Sequence, residues 1–176
     1  MKPEQLQKFY NMAEPRSEEA IRKSEERKTK RKDKELLLQD LCARLSYNVY
    51  IDDCGTPHRL VNICWDGIKF VVNCSPFGTG HGRIGTPLFD GDVCCVKPYL
   101  RPMSTMPEEE REFLNKMALE NSLKCIEEED PQKVFLLRIK HDAEELAYLY
   151  GHHYDVLGLI PAGLAISTET FNPYKE

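Results

Sequence analysis

The stretch from Asp92 to Met117, DVCCVKPYLRPMSTMPEEEREFLNKM, constrains the fold more than any other: an apolar β-like run meets a proline-punctuated turn and then a helix-forming segment. Pro98 and Pro102 remove two backbone donors, so the strand is expected to end near Lys97 and not to continue as a central one. Thr105 is placed to cap the next helix with its hydroxyl, Glu108 to reach back to the cap amide, and Pro107 to sit in the first turn. Glu108, Glu109 and Glu110 suit the positive helix end.

Upstream, Leu37, Leu38, Leu41, Cys42 and Leu45 recur at the spacing of one helical face, so a helix from about Asp33 must pack on something. Asn48 to Ile51, Arg59 to Cys64 and Ile68 to Cys74 read as short strands. Asp52-Asp53-Cys54-Gly55 and Trp65-Asp66-Gly67 between them carry hairpin turn chemistry. A strand at Val93 to Val96 brings the set to about four. Between the third and the last lies Ser75 to Asp92, glycine-rich and long for a plain connection, the natural place for a mobile binding loop.

Downstream, a helix is expected from Met106 to about Glu120, then a strand at Lys133 to Ile139. Asp142 with Glu145 forms a capping box for a last helix ending near Gly151. The apolar tail Val156 to Ile166, broken by Pro161 and Gly163, should tuck into the core. The whole predicts an α+β fold: an N-terminal helix, a small bent antiparallel sheet of the SH3-like barrel kind over about 48–97, and a helical C-terminal half over about 105–176. Residues 34–176 form the single domain of this reading, and residues 1–33 a charged arm, helical or disordered.

At 176 residues and 41% hydrophobic, the chain can bury one real core. No run of about 18 apolar residues offers a membrane span, and the N-terminus lacks the pattern of a secretory signal. Seven cysteines, an odd number, several within expected strands or helices, favour reduced thiols in a cytoplasm. The net charge of −5 hides an asymmetry. Residues 1–40 carry eleven Lys and Arg against nine Asp and Glu, so the remainder carries −7. A polyanion contact would centre on the arm, at Arg27, Lys28, Lys30, Arg31 and Lys32, although interleaved glutamates at 18, 19, 25 and 26 suit intrahelical ion pairs.

No stretch forms a known catalytic or cofactor signature, and no cofactor is expected. FGTGHGRIG follows a candidate strand like a phosphate-binding loop, but it lacks the Lys-Ser/Thr of a P-loop and opens no helix. Cys54, His58, Cys64 and Cys74 fit no structural zinc spacing and read better as small buried side chains. His141, His152 and His153 lie near Asp142, Glu144, Glu145 and Asp155. Histidines at a helix end explain them more simply than catalysis does. The chain therefore reads as a non-enzymatic binding module. Trp65 in its turn, with Phe77, His81 and Arg83 of the glycine loop, are the candidate contacts for a protein partner. Nucleic-acid binding through the arm is the alternative. The Leu37, Leu38, Leu41, Leu45 stripe offers a route to a homo-oligomer, and no membrane partner is expected.

Three segments, KELLLQDLCARLSYNVYI (34–51), VKPYLRPMSTMPEEE (96–110) and HHYDVLGLIPAGLAI (152–166), together resemble a family of uncharacterised small proteins of gut Bacteroidetes, their phages and other mobile elements. The resemblance runs from residue 34 to the chain end, and the first 33 residues depart from it. It implies no catalytic residues. It implies a mobile-element setting, in which the partner is a host or phage protein and the role one of host interaction or anti-defence.

Overall fold

A computed structural model describes residues 18–53, 55–76, 83–90 and 93–175. Its contacts divide the chain into two units, Met1–Glu35 and Leu36–Glu176. Helix α1 (Glu18–Ala43) contributes to both. Within the first unit the helix is exposed and laced with carboxylate pairs: Lys23 with Glu19 at 2.6 Å, Arg22 with Glu26 at 3.6 Å and Arg31 with Glu35 at 2.9 Å. These pairs follow the i, i+4 spacing that supports an isolated helix.

In the second unit, strands β1 (Tyr50–Asp53), β2 (Thr56–Trp65), β3 (Phe70–Pro76), β4 (Arg83–Pro87), β7 (Val96–Leu100) and β8 (Ile166–Ser167) form one sheet in the order β4-β3-β2-β1-β7-β8. Strands β5 (Phe89–Asp90) and β6 (Val93–Cys94) form a separate two-stranded ribbon. The three expected hairpin strands are present, shifted by about two residues. Gly55, at φ +85°, supplies the left-handed position that the β1–β2 turn demands. Register shifts between Leu60 and Asn62 and between Val72 and Cys74 mark bulges, which bend a sheet.

The sheet is mixed and not closed, so the SH3-like barrel is not formed. Its last strand explains why: β8, from the chain's far end, runs parallel to β7 through Tyr99↔Ile166 and Leu100↔Ser167. That pairing occupies the β7 edge that closure of an antiparallel barrel would need. Nor does the strand stop at Lys97. Pro98 lies inside β7 opposite Ile51, and β8 joins only from Tyr99 onward, so at Pro98 the strand has one ladder neighbour and a missing donor is tolerated. Val96, Pro98, Tyr99 and Leu100 are all buried, the pattern of a strand covered on both faces.

The core gathers Leu37 and Leu41 from α1, Ile51, Leu60, Val72 and Cys74 from the sheet, and Leu159, Leu164 and Ala165 from the C-terminal segment. The apolar tail thus tucks in as expected. Leu37 and Leu41 are wholly buried, each contributing about 1.5–3 kcal/mol. They are therefore closed to self-association: the stripe read as a route to a homo-oligomer is the seam of the chain's own core, with Leu38 half-buried beside it and only Leu45 exposed.

Two long helices follow the sheet, α2 (Glu108–Glu127) and α3 (Pro131–Gly151). The Thr105 hydroxyl does not cap α2. It donates to the Pro102 carbonyl at 2.8 Å within a short 3-10 turn, Met103–Thr105, and Pro107 itself takes the N-cap position. The strand expected at Lys133 to Ile139 is helix throughout. Asp130 accepts from the Gln132 amide at 2.9 Å and Pro131 opens the first turn, so α3 starts there and not at Asp142. It ends at Gly151, as the sequence suggests.

Candidate functional site

The β2–β3 connection is built by Asp66. Its carboxylate accepts from the Ile68 and Lys69 amides, both at 2.8 Å, and those bonds hold it below the usual carboxylate range. Gly67 at φ +101° lets the chain reverse. At the base of the turn Trp65 and Phe70 face each other across the ladder, rings edge to face at 5.1 Å. Both are exposed, Trp65 at 56%, and Ile68 at the tip is 85% exposed. Three large apolar side chains stand in water on a turn fixed by backbone-to-carboxylate bonds. An exposed apolar cluster on a fixed turn is a candidate contact surface.

Of the other candidate contacts, Phe77 and His81 lie outside the described residues. Arg83 opens β4, its backbone opposite Cys74, so the glycine-rich connection ends in a sheet strand rather than a helix. The sequence singled out Trp65 but not Ile68 or Phe70. The signal for both was the Trp-Asp-Gly turn itself, since a tight turn exposes whatever flanks it.

Arg27, Lys28, Lys30, Arg31 and Lys32 all lie on the exposed part of α1. Arg31 is engaged by Glu35. Of the glutamates expected to pair, Glu19 engages Lys23 and Glu26 engages Arg22, both outside this basic run.

Between α2 and α3 lies a groove of about 400 Å³ lined by Met117, Asn121, Cys125, Arg138, His141 and Glu145, among others. Cys125 Sγ stands 4.0 Å from His141 Nδ1, at the limit of a hydrogen bond to sulfur. No cluster of three or more His, Cys, Asp and Glu side chains suited to a metal occurs among the described residues. Of the residues read as small buried side chains rather than zinc ligands, His58 and Cys74 are buried, Cys64 is exposed, and Cys54 lies outside the described residues. His141, His152 and His153 also part company. His152 donates Nδ1–H to the Tyr148 carbonyl at 2.8 Å and stacks on that ring, while His153 stacks on Tyr174 at 3.9 Å.

A polar cluster, most of it buried, joins the end of α1, the paired strands β1 and β7 and the C-terminal segment. Arg44 meets Asp40 through Nε at 2.6 Å and Nη2 at 3.0 Å, and Nη2 also donates to the Tyr154 carbonyl at 2.6 Å. Asp155 accepts from the amides of Leu159 and Ile160 at 2.7 and 2.9 Å, which shapes the tail's return to the core. The Tyr174 hydroxyl accepts from the Tyr50 amide at 3.1 Å and donates to the Tyr99 carbonyl at 2.9 Å. Apart from the Arg44–Asp40 pair, these contacts join distant parts of the chain or close a turn. The cluster is a clasp, and its side chains point into the fold rather than into a cleft.

Among the described residues, no helix is long and apolar enough to cross a membrane. Comparison with known proteins found no matching family model, no matching curated protein and no matching solved structure.

Proposed function

We propose that the protein is a non-enzymatic binding module that holds a protein partner on the β2–β3 turn. The observation that carries this reading is the exposed Trp65, Ile68 and Phe70 cluster on a turn made rigid by Asp66. A preformed turn loses little conformational entropy on binding, and a tryptophan beside two other large apolar side chains is the composition of a binding hot spot. The resemblance of three segments to small proteins of Bacteroidetes phages and mobile elements directs the search to host or phage proteins, and to host interaction or anti-defence as the process.

Affinity capture of the tagged chain from a bacterial host lysate tests the reading, with nuclease-treated and untreated arms at low and high salt, beside Trp65→Ser and Ile68→Glu variants. The expected result is a stoichiometric protein that survives nuclease and is lost from both variants. Nucleic acid recovered alone, released by salt and by removal of residues 1–33, would overturn it in favour of the basic part of α1.

A further inference from the structure

Helix α3 is apolar on two faces, and its own chain covers one of them. Val134, Leu137, His141, Glu145 and Tyr148 recur at three and four residues and are half-buried. This is the face turned to α2, as the Phe113–Tyr148 ring contact at 5.0 Å and the Cys125–His141 approach show. A second series, Phe135, Leu136, Ile139, Ala143 and Leu146, follows the same periodicity on the other side, and all five are exposed. No residue of this 21-residue helix is fully buried. A helix with two apolar faces belongs between two layers, and among the described residues only one layer is present.

We propose that a second copy of this chain supplies the missing layer, its α3 packed antiparallel on the exposed face around a two-fold axis level with residue 141. Two observations select a second copy. The first is area. Phe135 and Leu136 are each 63% exposed, with Ile139 and Leu146 near half. Together these four present on the order of 400 Å² of apolar side chain. That is close to the apolar share, about 60%, of the roughly 800 Å² that one partner brings to a standard stable interface.

The second is self-complementarity. The large side chains Phe135, Leu136 and Ile139 occupy the N-terminal half of the stripe, whereas Ala143 lies in its C-terminal half, with half-buried Ala147 beside it. A two-fold at residue 141 sets 139 against 143, 135 against 147 and 136 against 146. Large meets small at two of the three levels, which lets two helices approach closely with knobs filling holes. A parallel pairing would set Phe135 against Phe135 and leave the alanines facing each other across a gap.

This interface is distinct from the β2–β3 turn, so one can fail without the other. Sedimentation equilibrium of the full chain, taken up to about 200 µM to capture micromolar affinities, should show a mass that doubles with concentration. Ile139→Glu should remain monomeric throughout with an unchanged far-UV circular dichroism spectrum, and Ile68→Glu should dimerise like the parent. Leu136→Lys and Leu146→Glu should each weaken the dimer at least tenfold, and the double variant should restore it, because the antiparallel register places the two positions opposite each other. A parent chain that stays monomeric overturns the proposal, as does an Ile139→Glu variant that still dimerises. A double variant without rescue overturns the antiparallel register.

Discussion

Arg44 and Asp40 face each other one helical turn apart with both side chains fully buried, the guanidinium closing on the carboxylate through two nitrogens at 2.6 and 3.0 Å. Burial pushes the Asp40 carboxyl up and Arg44 draws it back down. The Arg44 guanidinium also lies 4.7 Å from the centre of the Tyr150 ring and bonds the Tyr154 carbonyl, so one side chain ties the end of α1 to the end of α3 and the segment beyond it.

Removing one member of this pair leaves the other charged and buried. Asp40→Ala or Arg44→Ala should each destabilise the chain by about 3–5 kcal/mol, whereas replacing both with apolar residues of similar volume, Asp40→Leu with Arg44→Met, should cost far less. Urea unfolding of the two single variants and the double variant measures this. Near-additive losses would show that the two charges are not energetically coupled.

Leu37, Asp40, Leu41 and Arg44 share one helical face, so the same periodicity that revealed the leucines also placed two opposite charges among them. Charged residues are ordinarily assigned to solvent, and only the i, i+4 spacing hints that these two satisfy each other. The hairpins were legible because their turns are local chemistry. Helix α3 was misread at Lys133 to Ile139 because Val, Phe, Leu and Ile in a short run resemble a strand, while the deciding signal, Asp130-Pro131 followed by no further proline or glycine until Gly151, lies outside that run. The open sheet was not legible at all, since it depends on a pairing between residues 67 positions apart, Tyr99 with Ile166.

His153 has a backbone φ of +61°, and its buried Nδ1 has no hydrogen-bond partner. Burial lowers its pKa to about 4, with the positive charge of Arg44 acting in the same direction. The unfolded chain, with histidine near 6.5, then binds a proton that the folded chain refuses. Stability from this group is complete above about pH 6.5 and falls as pH drops toward 4, by about 1–2 kcal/mol once solvent screening is allowed for. His153→Asn, which tolerates the left-handed backbone, should flatten that slope in urea midpoints measured from pH 4 to pH 7. An unchanged slope would place the titration elsewhere.

The Tyr174 hydroxyl serves as both donor and acceptor between β1 and β7, and its ring stacks on His153 at an interplanar angle of 11°. Tyr174→Phe keeps the stacking and removes only the oxygen, leaving the Tyr50 amide and the Tyr99 carbonyl each without this partner. A loss of about 1–3 kcal/mol is expected, with faster hydrogen exchange at the Tyr50 amide. Exchange at Tyr50 that matches the parent would mean that the amide has another partner in solution.

Ile68 contrasts with all of these because its side chain stands in solvent while only its backbone amide is held. At 85% exposure its side chain contributes almost no burial, and the turn around it depends on backbone amides and the Asp66 carboxylate. Ile68→Lys should therefore leave stability within about 0.5 kcal/mol of the parent, whereas Asp66→Ala, which frees two amides, should lower the unfolding midpoint measurably. If Trp65, Ile68 and Phe70 hold a partner, Ile68→Lys should abolish capture at unchanged stability, while Asp66→Ala should weaken it by loosening the turn that presents them. Thermal unfolding and capture measured on the same two preparations separate a side chain that touches the partner from one that shapes the turn. Capture retained by Ile68→Lys would remove this surface from the binding site.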